Sequence, residues 1–194
     1  DQASFDYLMG ANEGEHATLN VRKPLSQPGQ YVSDVRLNLV GPVNPKTGKP
    51  REINNVSILG PLRNLNQVEV SATDARTLGI AAPIRLSGDV KGSAPITLVN
   101  PLNGRTLELK EGAIVAKRHI HMTPKDAEEF NVKDGDSVYV AIETPDRTTI
   151  YGDTIIRVSE KFSLAMHIDT DESNAAEAGG TVYGEVLYLS DSCC

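Results

Sequence analysis

Glycine and proline interrupt this sequence too often for a long helix to form. The runs between them are short and read as strands. Val35-Arg36-Leu37-Asn38-Leu39-Val40 alternates apolar and polar residues and stops at Gly41-Pro42. Residues 53–59 form a second run, stopped by Gly60-Pro61. Alternation with a period of two puts one face of each strand on a core and the other in water. Trp is absent and Phe occurs three times, so that core is built mainly from Val, Ile, Leu and Ala.

The rest of the chain keeps this rhythm. Residues 1–10 read as a short helix, with Phe5, Leu8 and Met9 on one face and Gly10 as its stop. Residues 11–34 are polar and turn-rich, and Pro24 and Pro28 exclude a helix there. Further strands are expected over 67–71, 84–86, 96–99 and 106–109, with Asn103-Gly104 closing a hairpin between the last two. Residues 73–78 read as a helix closed by Gly79. Beyond residue 123, helices are expected over 124–130 and from Asp169 to Gly179-Gly180, and strands over 137–142, 149–158, 164–168 and 181–189. The fold class is therefore mostly β with short helices, arranged as two small β-barrels capped by α-helices. The expected domains are residues 1–116 and 117–194.

A weak repeat supports two similar halves. Val68-Glu69-Val70-Ser71-Ala72-Thr73-Asp74-Ala75 parallels His119-Ile120-His121-Met122-Thr123-Pro124-Lys125-Asp126-Ala127, and in this comparison Glu69 takes the place of His119. Each copy runs from a strand with polar residues two apart into a capped helix.

Charge and composition exclude several functions. With 26 Asp and Glu against 19 Lys and Arg, the net charge of −7 argues against binding nucleic acid or an anionic membrane surface. No apolar run approaches the roughly 20 residues of a membrane span. No signal-peptide pattern opens the sequence, and a reducing cytoplasm is the expected setting. The two cysteines, Cys193 and Cys194, are adjacent in a polar tail and too close for an ordinary structural disulfide. There is no Cys-x-x-Cys pair, no phosphate-cradling Gly-x-x-x-x-Gly-Lys and no Gly-x-Ser-x-Gly elbow.

The chemistry concentrates in Lys117-Arg118-His119-Ile120-His121-Met122-Thr123-Pro124. Thr123 suits a helix N-cap and Pro124 the first helical position, which places His119 and His121 at a strand end. On a strand they share one face, with Ile120 on the other. Two such imidazoles suit a transition metal such as zinc, although a solvated pair would show the same spacing. His167 occupies a similar strand end before a helix, and would complete a three-histidine site with positions open to water or an anion. Asp169 reads first as a helix cap. His16, in a polar loop, reads as solvated. Glu69 could meet a metal or substrate, or be an exposed strand residue. Arg63 could hold phosphate bidentately, or be a solvated loop residue, and Arg118 reads as solvated.

Five stretches together resemble one family. They are Pro24-Leu25-Ser26-Gln27-Pro28-Gly29-Gln30, Gln67-Val68-Glu69-Val70-Ser71, Arg85-Leu86-Ser87-Gly88-Asp89, Arg118-His119-Ile120-His121-Met122 and His167-Ile168-Asp169-Thr170-Asp171-Glu172-Ser173-Asn174-Ala175. They are similar to PduL-type phosphotransacylases (phosphate propanoyltransferases), over residues 1 to about 189. The resemblance implies two helix-capped β-barrels and the reversible conversion of a short-chain acyl-CoA, propanoyl-CoA or acetyl-CoA, plus phosphate to acyl phosphate plus coenzyme A. It implies that His119, His121 and His167 hold one zinc, that Glu69 contributes to a second, and that Arg63 contacts phosphate. The family's earlier His-x-His, a second-zinc ligand pair, does not occur in this sequence: either the natural start of the chain is absent from it or the protein builds a one-metal site, and one zinc site is the expectation. Asn100-Pro101 stands where the family has Gly-Pro. The implied setting is cytoplasmic or inside a bacterial microcompartment used in propanediol utilization, with shell association and homo-oligomers compatible with it. A noncatalytic metal-stabilised barrel and a metal-dependent acyl-CoA hydrolase are the competing readings.

Overall fold

The structure, a computed structural model, describes residues 1–188. Cys193, Cys194 and Leu189, the end of the last expected strand, lie outside them. The chain is mostly β, 40% strand against 15% helix, with a curled half-barrel sheet and four short helices that act as covers. It forms two compact units, Asp1–Ala116 and the residues from Lys117 onward. Among the described residues, no helix is long and apolar enough to cross a membrane.

The first unit opens with α1 (Gln2–Met9), whose Asp1 cap accepts from the Ser4 backbone N–H and whose Phe5 and Leu8 are buried. The last carbonyls of a helix need outside donors. Here Asn100 and Asn103 each give a side-chain N–H to Leu8 O, at 2.9 and 3.0 Å. Asn100 is therefore buried as the partner of a helix end.

The strands are β1 (Val21–Pro24), β2 (Tyr31–Val43), β3 (Pro50–Gly60), β4 (Val68–Glu69), β5 (Ile84–Arg85), β6 (Ala94–Val99) and β7 (Thr106–Ala116), with α2 (Ala72–Leu78) after β4. The sheet order is β1-β2-β6-β7-β4, with β3 also on β2 and β5 also on β7. A core of Leu37, Leu39, Leu78, Ile96 and Ala113, with neighbours, lies against it.

Two sequence expectations are corrected here. First, β2 does not stop at Gly41-Pro42 but runs to Val43, with its register to β3 shifting between Val40 and Val43. Gly41 is needed because a Cβ there would meet Leu78 O at 1.9 Å, so its absence lets α2 lie close on the strand. Lys23-Pro24, in the stretch from which the prolines exclude a helix, belongs to β1, an exposed edge strand, where a missing N–H costs no ladder bond. Second, the strand expected over 106–109 is an 11-residue β7 that runs on to Ala116.

The second unit comprises β8 (His119–Met122), α3 (Pro124–Glu129), β9 (Ser137–Ile142), β10 (Thr149–Val158), β11 (Ala165–His167), α4 (Thr170–Ala176) and β12 (Gly184–Leu187). Its sheet order is β11-β8-β10-β9-β12. Ile120, Met122, Val140, Ile142 and Ile156 lie in its core. Helix α4 ends earlier than Gly179-Gly180, at Glu177, which takes the left-handed conformation.

The repeat is visible in both units. Ser71 and Thr123 cap α2 and α3 and accept from the Asp74 and Asp126 backbone N–H groups. Gly79 and Asn131 both have positive φ, and the next residues, Ile80 and Val132, return N–H bonds of 3.0 Å to Ala75 O and Ala127 O. Strands β4 and β8 each pair in parallel, with β7 and β10. Aligned on their caps, Glu69 matches His121 and Gln67 matches His119, which corrects the pairing of Glu69 with His119.

Candidate metal centre

The histidine strand ends because α3 begins at once. Thr123 accepts from the Asp126 N–H, and Asp126 accepts from the Thr123 N–H, closing a capping box with Pro124 in the first turn. The box's two bonds from Thr123 hold the Asp126 carboxyl below its usual range. This cap follows directly on Met122, the last residue of β8. Ile120 and Met122 point into the core while His119 and His121 share the opposite face. Antiparallel pairing with β11 then places His167 opposite His119.

The three rings converge. Their centroids are 4.7 Å apart for His119 and His121, 5.0 Å for His119 and His167, and 4.6 Å for His121 and His167. One ligand atom from each lies within 4.8 Å of the others, the one such convergence of three metal-type ligands among the described residues. His119 and His121 are buried, at 8% and 7% exposure. His119 Nδ1 lies 2.8 Å from Lys117 O. A carbonyl only accepts, so Nδ1 carries the proton and Nε2 the lone pair, the arrangement that orients a ligating histidine. His121 Nδ1 and His167 Nε2 are buried with no hydrogen-bond partner. Buried polar atoms are nearly always satisfied, and two orphan imidazole nitrogens facing a third ring fit a metal ion. The Phe162 ring stacks on His121 at 3.9 Å and 17° and fixes its plane.

Burial, then the charges of neighbouring groups, lowers His121 to about 3; burial, then His119, lowers His167 to about 4. Both are neutral near pH 7 and need lose no proton to bind a metal. The linkage to stability has a definite sign. In the unfolded chain these groups titrate near 6.5, so between about pH 6.5 and 4 the unfolded state binds more protons and stability falls with pH. Metal-stripped protein should melt lower at pH 5.0 than at pH 7.5, by about 4 °C or more, and His167→Asn should flatten that slope. Equal melting temperatures in the wild type would contradict the buried, neutral imidazoles.

Two contacts tie the ligand strands together. Arg118, expected to be solvated, instead donates to Gly152 O at 2.7 Å and pairs with Glu172 at 2.6 Å. It also lies over the Tyr151 ring, 5.0 Å from the centroid. Glu172 takes the Asp169 backbone N–H at 3.0 Å, in the capping box that follows β11. Arg118 precedes His119, and Asp169 follows His167 by two residues, so the ion pair links the two ligand-bearing segments. Asp169 is the α4 cap, and burial raises its carboxyl. His16 is exposed and pairs with Asp6 at 2.8 Å.

Arg63 and Glu69 lie in the first unit, in a polar cluster of their own. Arg63 donates to Ser87 Oγ at 3.0 Å. Gln67 Nε2 donates to Ser87 Oγ at 2.9 Å and to Glu69 Oε1 at 2.7 Å, while its carbonyl oxygen takes the Gly88 N–H at 2.7 Å. Gln67 thus ties two side chains, Ser87 and Glu69, to the Gly88 loop. Sequence reasoning assigned roles to Arg63 and Glu69 and none to Gln67, Ser87 or Phe162. A polar residue two before Glu69 on its strand was the one available signal for Gln67.

The phosphate propanoyltransferase family model matches residues 2–179. A phosphate propanoyltransferase of Shewanella putrefaciens is 49% identical over 163 residues, covering 84% of this chain and 73% of the relative. Those of Salmonella typhimurium and Citrobacter koseri are each 52% identical over 160 residues, covering 82% of this chain and 72% of the relative. With a match of this length and relatives at this identity, the chain belongs to the phosphate propanoyltransferase family, a family of acyltransferases.

Proposed function

We propose that this chain is a zinc-dependent phosphate acyltransferase that interconverts a short-chain acyl-CoA plus phosphate with acyl phosphate plus coenzyme A. The observation that carries the zinc claim is the convergence of three imidazoles with two orphan buried nitrogens. His119, His121 and His167 would hold the ion. Three neutral nitrogen donors suit zinc and leave its charge uncancelled. When bound, zinc supplies Lewis acidity toward an oxygen or sulfur of the reactants.

The chain's own groups do the rest. Arg63, anchored on one side by Ser87, presents its guanidinium to phosphate and offsets its charge. One phosphate oxygen attacks the thioester carbonyl, the carbon–oxygen bond forms, and the carbon–sulfur bond breaks with its electrons leaving on the coenzyme A thiolate. No protein nucleophile is required. Glu69, held by Gln67, would face a second cation or a substrate group. Propanoyl-CoA is the first acyl donor expected, and the reading extends to a microcompartment setting.

The test measures zinc content and coenzyme A release from propanoyl-CoA and acetyl-CoA, with and without phosphate. Zinc near one per chain with phosphate-dependent release is expected. Release of free acid without phosphate would make the chain a hydrolase. Zinc without any release would make the centre structural.

A further inference from the structure

We infer that Arg157 is a second anion-binding residue, contributed by the same sheet as the three histidines, and that its guanidinium receives a phosphoryl group at the metal centre. This rests on reading that centre as one for phosphate chemistry.

The argument begins with register. In the parallel pair of β10 and β8, Ile155 aligns with His119, Ile156 with Ile120, Arg157 with His121 and Val158 with Met122. Ile156, Ile120 and Met122 are in the core, with Val158 packed against it. Side chains alternate along a strand, so Arg157 leaves on the opposite face, the one that carries His119 and His121. It is half-buried.

Arg118, next to His119 in sequence, and Arg157, in register with His121, differ in what already occupies them. Arg118 is committed to Glu172 and Gly152 O. Arg157 has no side-chain hydrogen bond or ion pair among the described residues. A half-buried guanidinium without a carboxylate, on the face that carries His119 and His121, leaves positive charge at the centre uncompensated. Its planar fork matches a phosphoryl dianion, which a metal ion and an arginine can hold together. Two sources could supply that group: the free phosphate substrate, or a phosphate ester of coenzyme A.

The test titrates inorganic phosphate, and separately coenzyme A, into the zinc-loaded chain by calorimetry. Wild type is compared with Arg157→Gln and Arg157→Lys, and zinc content is measured on each. Arg157→Gln should keep its zinc and weaken binding by about 10- to 100-fold, the loss of one or two charge-assisted hydrogen bonds. Arg157→Lys should lose about 5- to 10-fold, because a point charge lacks the fork. Weakening in the phosphate arm assigns the guanidinium to free phosphate; weakening confined to the coenzyme arm assigns it to an ester phosphate. Unchanged binding in both arms overturns the proposal, as does a wild type that binds neither anion. Should Arg157→Gln not fold, Arg157→Lys decides, and affinity equal to wild type overturns it. A wild type without phosphate-dependent coenzyme A release, but with Arg157-dependent anion binding, would sink the activity and leave the anion site standing.

Discussion

Replacing His119 by alanine should lower phosphate-dependent coenzyme A release by about 1,000-fold or more. The Lewis acidity of a bound ion contributes several kcal/mol to the transition state, and each 1.36 kcal/mol is tenfold in rate. The His119 ring, like each of the three, neighbours both of the others, at 4.7 and 5.0 Å between centroids. It is also oriented by Lys117 O, at 2.8 Å from Nδ1. Two imidazoles alone hold zinc poorly, and the metal content of the variant should fall with its activity. The fold should survive, since Ile120 and Met122 on the other face of β8 carry the packing. The measurement pairs turnover with zinc content on the same sample. A variant with a full equivalent of zinc and wild-type turnover would show that the reaction lies elsewhere.

Arg63→Ala should reduce kcat/KM for phosphate by about 100- to 1,000-fold, the range seen when one preorganised charge-stabilising donor is lost. The effect should appear in the phosphate dependence, with a smaller change in KM for the acyl-CoA. One anchor on the exposed guanidinium is visible in the structure. Ser87 Oγ takes one of its N–H groups, and Gln67 holds Ser87 in turn while its own oxygen is tied to Gly88 N–H. Arg63→Lys should recover little, because an ammonium cannot span Ser87 and a phosphate oxygen with a rigid fork. Steady-state kinetics at varied phosphate decide the matter. An Arg63→Ala enzyme with unchanged phosphate KM and kcat would remove Arg63 from the reaction.

The caps were legible in the chain because they are local. Thr123, Pro124 and Asp126 fix the start of α3 within four residues, and the Gly79 and Asn131 ends repeat the same left-handed stop. The hairpin at Asn103-Gly104 and the limits of β10 were readable for the same reason. The length of β2 was not, because Gly41 looked like a terminator and serves instead as the close approach to Leu78. Arg118 looked solvated because its partner, Glu172, sits on a distant helix.

By itself the sequence determined a β-rich chain with short capped helices, and two imidazoles on one face of a strand end. Those properties depend on backbone preferences and side-chain spacing over a few residues. The tertiary structure decided which strand lies beside the histidines and in what register. It set β11 antiparallel to β8, which brings His167 opposite His119, and β10 parallel to β8, which brings Arg157 beside His121. It also placed Phe162 against the His121 ring. Such pairings are chosen by the fit of apolar faces far apart in the chain, and a one-residue slip would turn each of these side chains to the opposite face.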